Sequence, residues 1–590
     1  MGSKLRNVLA QGRNTVAARW PGAKESGDAA VVGMVEEFSK RLVVGWISVP
    51  SDAAPVRVDL YLGNLKVAST YATPGSSMSG HHSALRRDDG KAFTAPLVHD
   101  WQVPMVPGPA DDRRNSGQSI RTFSFRIRGI WPWVKKGTRI TVRVNDQRLP
   151  IYGHGMFLSP PRNGRRSVRE LAAKFEAGYL LSQTGKVALS KRLDTEWQSR
   201  VMELYAQTRR IVADEFGHDI FFIYGTLLGA VREGGFIGHD EDFDAAFISK
   251  HTDGGDAATE LQEIGLALIR HGLDVECRFT ALHIHDPETN QRIDLFHTYF
   301  DDEGRIRFPF GIAGTNSYTT TDWKGTREID FGGGTGLIPV GAEKLVAHLY
   351  GDDWRCPKPG FNWKLDRTDS AREGLLSTEQ RTKVYWANFY NKTQYTSGST
   401  FFEFINSWDG IPNNIIDIGC GDGRDSCAFG AAGRTVLGVD QSPVGIEHAS
   451  AHADEIGLAD KVSFRTCDVA DVDDLGRAMD QITEAAHGPV AFYMRFFLHA
   501  IPEEVQRGLM KAIDAHARPG DYLVAEFRTD KDQANTKVHT KHYRRFQNAE
   551  QFRDSLGLHY GFEVLHFEEG TGLSPYKGED PVLTRVVAKR

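Results

Sequence analysis

The chain has 590 residues, with 71 Lys and Arg against 77 Asp and Glu, a formal net charge of −6, 40% hydrophobic residues and 25% charged ones. That length supports several domains, each with its own core, and the mildly acidic balance gives no basis for general nucleic-acid binding. No apolar run reaches the roughly 20 residues a membrane-spanning helix needs, and no hydrophobic signal-peptide centre stands out, so the expected location is the cytoplasm. The cysteines Cys277, Cys356, Cys420, Cys427 and Cys467 lack CxxC spacing, which argues against a disulfide framework or a zinc site.

The first 29 residues scatter basic side chains from Lys4 to Arg19 among Leu5, Val8, Leu9, Val16 and Ala17. Such a segment suits an anionic membrane surface, which would hold the protein at the inner face of the cell membrane; a docking helix or a disordered arm are the alternatives. Residues 30–158 change character. Period-two apolar patterning over 41–49, 56–62, 120–127 and 139–144, broken by turn-rich stretches, predicts an antiparallel β-sandwich. Residues 73–89, rich in Gly, Ser and His, read as a loop within it. Gly45, Trp46 and the later FSFRI run resemble small β domains appended to bacterial polysaccharide-processing enzymes, which implies glycan binding or simple packing against catalytic parts. A basic linker over 159–169 follows, then a helix predicted over 193–216.

Residues 224–245, YGTLLGAVREGGFIGHDEDFDA, couple a glycine turn to acidic residues at every second position. The apolar run 220–224 predicts a strand, Gly225 and Thr226 its turn, and 227–232 a short helix. If the acidic run is extended, Asp240, Asp242 and Asp244 share one face. Carboxylates this close repel one another unless a cation intervenes, and hard oxygen ligands favour Mg²⁺ or Mn²⁺; the alternative is a solvated acidic turn. Asp294, inside the β-prone run 292–299, is a further carboxylate in need of a partner. Backbone amides at the Gly225–Thr226 turn are suited to phosphate oxygens.

Together GTLLGAVR, GFI, the D-x-D-x-D run, IDLF and PVGAEKLVAHLYGD resemble the LicD and fukutin family of nucleotidyltransferase-fold proteins over about residues 165–370. The resemblance implies an α+β domain in which Asp240, Asp242, Asp244 and Asp294 hold the metal, with Asp242, Asp244 and Asp294 catalytic. Gly225, Thr226 and Arg232 would then face the substrate phosphates. Two departures are visible: His239 stands where the family usually has tryptophan, and Glu241 replaces the middle aspartate. The implied reaction is transfer of a phosphorylated group from a nucleotide-activated, CDP-alcohol type donor to a cell-surface or lipid-linked glycan.

Residues 364–382 read as a second linker. Beyond it NIIDIGCGDGR, residues 414–424, is an apolar strand ending in Asp417 and a turn built on Gly419, Gly421 and Gly423. A strand over 435–439 leads into Asp440, and a third over 462–466 into Cys467 and Asp468. This ladder resembles the class I S-adenosylmethionine methyltransferases over about residues 385–590, an α/β Rossmann-like fold; another doubly wound dinucleotide domain is the alternative. The resemblance implies that Asp417, Gly419, Gly421 and Gly423 line the methionine side, Asp440 the ribose and Asp468 the adenine. His499, just after the strand beginning at residue 490, is a candidate base, against a packed or capping histidine. The basic and aromatic cluster 541–546 is a candidate contact for an anionic acceptor, against a solvated loop.

The resemblances therefore imply a multidomain bifunctional transferase of bacterial cell-surface polysaccharide biosynthesis, in which one domain adds a phosphorylated substituent and the other methylates that substituent or the glycan; chain capping is one form such a sequence of steps can take. Two other readings stay open: a methyltransferase whose central domain only binds glycan, and an NTP-using nucleotidyltransferase that releases pyrophosphate.

Overall fold

The computed structural model describes residues 31–74, 117–160, 164–312, 317–357, 373–392, 397–535, 537 and 543–590. The basic segment 1–29, nearly all of the loop over 73–89, residues 364–372 of the linker over 364–382, and Lys541 and His542 of the basic cluster lie outside them.

Seven antiparallel strands build the first unit: β1 (Val32–Phe38), β2 (Leu42–Pro50), β3 (Val56–Leu62), β4 (Leu65–Pro74), β5 (Gln118–Arg126), β6 (Ile140–Val144) and β7 (Gln147–Arg148). Their order is β1-β2-β5-β4-β3-β6-β7. Pairing between β4 and β5 is confined to Thr73–Thr122 and Pro74–Arg121, so the sheet is continuous in hydrogen bonding yet divided into two halves. Both halves feed one core, with Val35, Ile47 and Phe125 from one and Leu60, Val142 and Val144 from the other. Gly45 is required where it stands, because a Cβ there would lie 2.5 Å from the Met34 carbonyl and from the Phe123 ring.

Helix α1 (Val168–Glu176), opened by a Ser167–Glu170 capping box, and the hairpin β8 (Tyr179–Leu181) and β9 (Val187–Leu189) lead to α2 (Thr195–Phe216). The central sheet follows: β10 (Phe221–Phe222), β11 (Asp244–Ile248), β12 (Asp274–Cys277), β13 (Ala281–His285) and β14 (Arg292–Phe300), with β15 (Ile306–Arg307) on the flank of β14. The order is β10-β11-β14-β13-β12, and β11 and β14 run parallel while every other pair is antiparallel. Helix α3 (Tyr224–Leu228) passes into one π-helical turn, Gly229–Glu233; α4 (Gly254–Arg270), the hairpin β16 (Thr326–Phe331) and β17 (Gly334–Pro339), and α5 (Ala342–Tyr350) complete the unit.

Two local expectations change here. The strand expected over 220–224 is only Phe221–Phe222, because Tyr224 has φ +41° and already opens α3, which takes Gly225 and Thr226 into the helix. The acidic run is not a strand: Asp240 N–H donates to the Ile237 carbonyl at 3.1 Å and Asp242 N–H to Asp240 Oδ1 at 3.3 Å, and extended pairing begins only at Asp244. Local turn bonds therefore win over alternation at Asp240 and Asp242.

The last unit comprises α6 (Thr378–Lys392), α7 (Thr400–Asn406), β18 (Asn414–Ile418), α8 (Arg424–Ala431), β19 (Thr435–Asp440), α9 (Pro443–Glu455), β20 (Val462–Thr466), α10 (Val472–Ala485), β21 (Val490–Arg495), α11 (Glu503–His516), β22 (Tyr522–Arg528), α12 (Ala549–Tyr560), β23 (Glu563–Gly570) and β24 (Leu583–Lys589). The order β20-β19-β18-β21-β22-β24-β23 is parallel through β22 and antiparallel at β24 and β23. Strand order reverses at β18, between β19 and β21, and in open α/β sheets ligands bind outside the strand ends at such a switch point.

Helix α6 begins inside the stretch expected to be a linker. Its Val384 and Ala387 are buried in the apolar core of the central unit, together with Val444 of α9. Arg270 of α4 also pairs with Glu447 of α9 at 3.2 Å. The two C-terminal units thus share a helix.

Candidate functional site

Where α3, the acidic loop, β11 and β14 meet, a cavity of about 460 Å³ is lined by Gly225, Arg232, His239, Asp240, Asp242, Asp244, His283 and Asp294, with Gln183, Tyr224 and Tyr350 around it. The parallel register sets Asp244 opposite Asp294. The α3 turn clamps Asp244 from both sides: Gly225 N–H donates to its Oδ2 at 3.0 Å, and its own N–H donates to Thr226 Oγ1 at 2.8 Å. Gly225 is needed for that approach, since a Cβ would lie 2.2 Å from Asp240 Oδ2 and 3.2 Å from Asp244 Oδ2.

Asp294 is buried, whereas Asp240, Asp242 and Asp244 keep some surface toward the cavity while protein surrounds them. Desolvation, followed by the Asp242 charge, pushes Asp240 up to about 7. Burial does the same to Asp294, also to about 7, with Arg292 opposing the rise. Asp244 is driven well above the carboxylate range by burial and then by Asp240 and Asp294. Among the described residues neither Asp240 nor Asp244 is ion-paired with a Lys, Arg or His. Asp242 and Asp294 instead turn onto Arg292, which sequence reasoning missed although it precedes Asp294 by two residues on the same face of β14. Arg292 Nη2 is 2.6 Å from Asp242 Oδ1, and its Nε is 2.9 Å from Asp294 Oδ1. Asp242 Oδ2 also accepts from Gln183 Nε2 at 2.6 Å.

The donor set is hard oxygen with an excess of negative charge, the chemistry that suits Mg²⁺ or Mn²⁺. As the side chains stand, however, no three His, Cys, Asp or Glu groups among the described residues converge as a ready ligand cage. Arg232 lines the cavity, although Glu233 at 2.9 Å and the Trp354 carbonyl at 3.3 Å already engage its guanidinium.

A larger cavity, about 600 Å³, opens at the β18 switch point. Its lining includes Asp417, Gly419, Gly421, Asp440 and Asp468 together with Phe496, Phe497, His499, Arg528, Arg544 and Tyr576. Asp440 accepts from Gly421 N–H at 3.1 Å and from Ser442 N–H at 2.8 Å, which fixes the strand end against the glycine turn. Burial pushes its carboxyl up to about 6. Asp417 accepts from Ser426 Oγ at 2.6 Å and is raised to about 7 by burial and then by the neighbouring Asp425. Asp468 is held by Lys383 of α6 at 3.1 Å. Gly423 does not line this cavity; at φ +75° it caps α8 and packs toward Ala449 and Phe464.

At the cavity wall Asp425 gathers Arg495 Nε at 2.7 Å, the Tyr493 hydroxyl at 2.7 Å, and Ser399 through both N–H and Oγ at 2.8 and 2.7 Å. His499 Nδ1 accepts the Arg528 N–H at 3.3 Å, which assigns the proton of the neutral ring to Nε2 and makes that atom a donor. Arg545 of the basic cluster turns inward, donating from its backbone N–H to the His499 carbonyl at 2.8 Å and from Nε to the Ile501 carbonyl at 3.3 Å, while Tyr543 and Arg544 border the cavity. The most evident omission of the sequence reading is α6, whose Tyr385, Trp386, Phe389 and Tyr390 form an aromatic wall. Tyr390 sits so close over the glycine turn that a Cβ on Gly421 would lie 2.6 Å from its ring.

These features define two kinds of domain, an acidic transferase-like one and a doubly wound one with a glycine-turn ligand cavity. Residues 217–334 match the family model for the LicD/FKTN/FKRP nucleotidyltransferase domain, and residues 415–520 match that of a methyltransferase domain. The chain carries a LicD domain followed by a methyltransferase domain. Its curated relatives include the 2-heptyl-1-hydroxyquinolin-4(1H)-one methyltransferase of Mycobacteroides abscessus, 25% identical over 118 residues that make up 20% of this chain and 47% of that protein. The chain thus spans about half the length of that relative. Similar solved structures include one described in work on the conversion of a disulfide bond into a thioacetal group during echinomycin biosynthesis, at 20% identity, 36% of this chain, 92% of that chain and a TM-score of 0.29. A second is a SAM-dependent methyltransferase from Anabaena variabilis, at 19% identity, 35% of this chain, 94% of that chain and a TM-score of 0.27. No helix among the described residues is long and apolar enough to cross a membrane.

Proposed function

We propose that the chain is a bifunctional transferase acting on a cell-surface or lipid-linked glycan. Its LicD domain moves a phosphorylated group from a CDP-alcohol type donor, and its methyltransferase domain uses S-adenosylmethionine to methylate the new substituent or the glycan. The observation that carries this reading is the pair of cavities on one chain, one acidic beside the α3 turn and the other at the glycine-turn end of β18.

In the acidic cavity Asp240, Asp242, Asp244 and Asp294 would hold Mg²⁺ or Mn²⁺, which when bound supplies charge neutralisation to the donor diphosphate. The Gly225–Thr226 turn fixes Asp244, and Arg232 at the wall would contact a phosphate oxygen by exchanging its Glu233 and Trp354 contacts for it. In the second cavity Gly419 and Gly421 let backbone approach the cofactor, Asp440 accepts from the ribose hydroxyls, and Asp417 supports the methionine end through the turn. His499, whose Nδ1 accepts the Arg528 N–H, stands at the cavity wall to contact an acceptor oxygen. Covalent linkage keeps the first product near the second site.

Purified protein should consume a CDP-alcohol donor only with Mg²⁺ or Mn²⁺. Asp242→Ala with Asp244→Ala should abolish that turnover and leave methyl transfer intact. Turnover that survives both changes sinks the metal reading. A second reading is favoured by one observation, the engagement of Asp242 and Asp294 by Arg292. In it the LicD domain only binds a glycan, and its mark would be glycan affinity unchanged by chelator.

A further inference from the structure

Two of the four carboxylates in the acidic cavity already have a cation. Arg292 lies on β14 two residues before Asp294, so both side chains leave the same face of the strand. Its guanidinium spans the gap to the acidic loop, with Nη2 2.6 Å from Asp242 Oδ1 and 3.3 Å from Asp294 Oδ2, and Nε 2.9 Å from Asp294 Oδ1. A planar fork is well matched to two carboxylates at once. The cavity has no cage of three converging ligands among the described residues, and in it both Asp242 and Asp294 are engaged by Arg292.

The clamp is also releasable. The Arg292 side chain is 36% exposed and the Asp242 side chain 38%, against 11% for Asp294, so the guanidinium has a route to water that the strand carboxylate lacks. An exposed arginine gives up an ion pair at small cost, whereas an unneutralised carboxylate group of this density does not persist.

We propose that Arg292 is an internal counter-cation that competes with a divalent metal for Asp242 and Asp294, so that metal entry displaces its guanidinium toward the cavity mouth. This rests on the reading that the acidic cavity takes a divalent cation. Arg292 is a positioning residue: it sets how readily the carboxylates assemble around a metal and, while the clamp is closed, offsets part of the negative charge of Asp242 and Asp294 without one.

The test is Mn²⁺ binding to the full-length protein, followed by the electron paramagnetic resonance signal of free Mn²⁺, for wild type, Arg292→Met and Arg292→Lys, with thermal melts of each. Methionine keeps the apolar stem and removes the charge; lysine keeps the charge and removes the fork. The expected result is binding roughly tenfold tighter in Arg292→Met, the order expected when a charge-assisted contact no longer has to be broken, with Arg292→Lys between the two. Equal or weaker binding in a folded Arg292→Met overturns the competition while leaving the metal reading in place, because Arg292 would then be organising the ligands. Absence of Mn²⁺ binding in all three proteins overturns both. If Arg292→Met fails to melt cooperatively, Arg292→Lys decides: tighter than wild type supports competition, equal or weaker rejects it.

Discussion

At Gly421 one hydrogen atom keeps two parts of the chain apart. The residue has φ +60°, and the Tyr390 ring stands where a Cβ would go, so Gly421→Ala combines backbone strain of order 1–3 kcal/mol with a clash at the cofactor turn. S-adenosylhomocysteine affinity measured by calorimetry should fall by more than about tenfold while Mn²⁺ binding at the acidic cavity stays put. Asp425 makes a different prediction. Desolvation alone would raise its carboxyl, but Arg495, Tyr493 and Ser399 outweigh burial and hold it below the ordinary value. A carboxyl depressed in the folded state contributes stability above its unfolded value of about 3.9, and that contribution is lost as pH falls through and below it. Asp425→Asn should therefore melt well below wild type at neutral pH, and the gap should narrow as melts are repeated toward about pH 3. A constant gap across that range would remove Asp425 ionisation as the cause.

Helix α6 carries two apolar faces, and that is why its role escaped sequence reasoning. Val384 and Ala387 enter the core of the LicD half, while Trp386 and Tyr390, stacked at 5.8 Å with 22° between rings, wall the cofactor cavity with Tyr385 and Phe389. A single stripe betrays an amphipathic helix; two stripes blur into a mixed stretch with no clear period, and only its first turn fell within the expected linker over 364–382. The β1–β7 unit was the reverse case, because short β-branched runs bounded by turn residues mark strands directly, and the strands expected over 56–62 and 139–144 appear as Val56–Leu62 and Ile140–Val144. The glycine turn was legible because positive φ at Gly419, Gly421 and Gly423 demands the residue type that the sequence displays. The acidic run was legible in composition but not in shape, since side-chain to backbone bonds at Asp240 decide its turn. Two substitutions separate the faces of α6. Ala387→Asp places an unpaired charge in the LicD core and should lower overall stability by about 3 kcal/mol in denaturant unfolding. Trp386→Ala should weaken S-adenosylhomocysteine binding with a much smaller change in unfolding.

For the whole molecule, the shared helix means that neither the LicD half nor the methyltransferase half has a clean edge. A chain beginning at residue 397 discards α6 and should lose S-adenosylhomocysteine binding, whereas one beginning at residue 373 should retain it, a contrast that calorimetry on the two fragments would decide. The same anatomy bears on how such a chain comes to exist. Genes for two enzymes are readily fused when a slack tether joins them, and as readily parted again. Here the join has become a structural member of both partners, with Lys383 on Asp468 at one side and Val384 in the neighbouring core at the other. A recombination event that traded either half for a different one would have to replace both faces of that helix together.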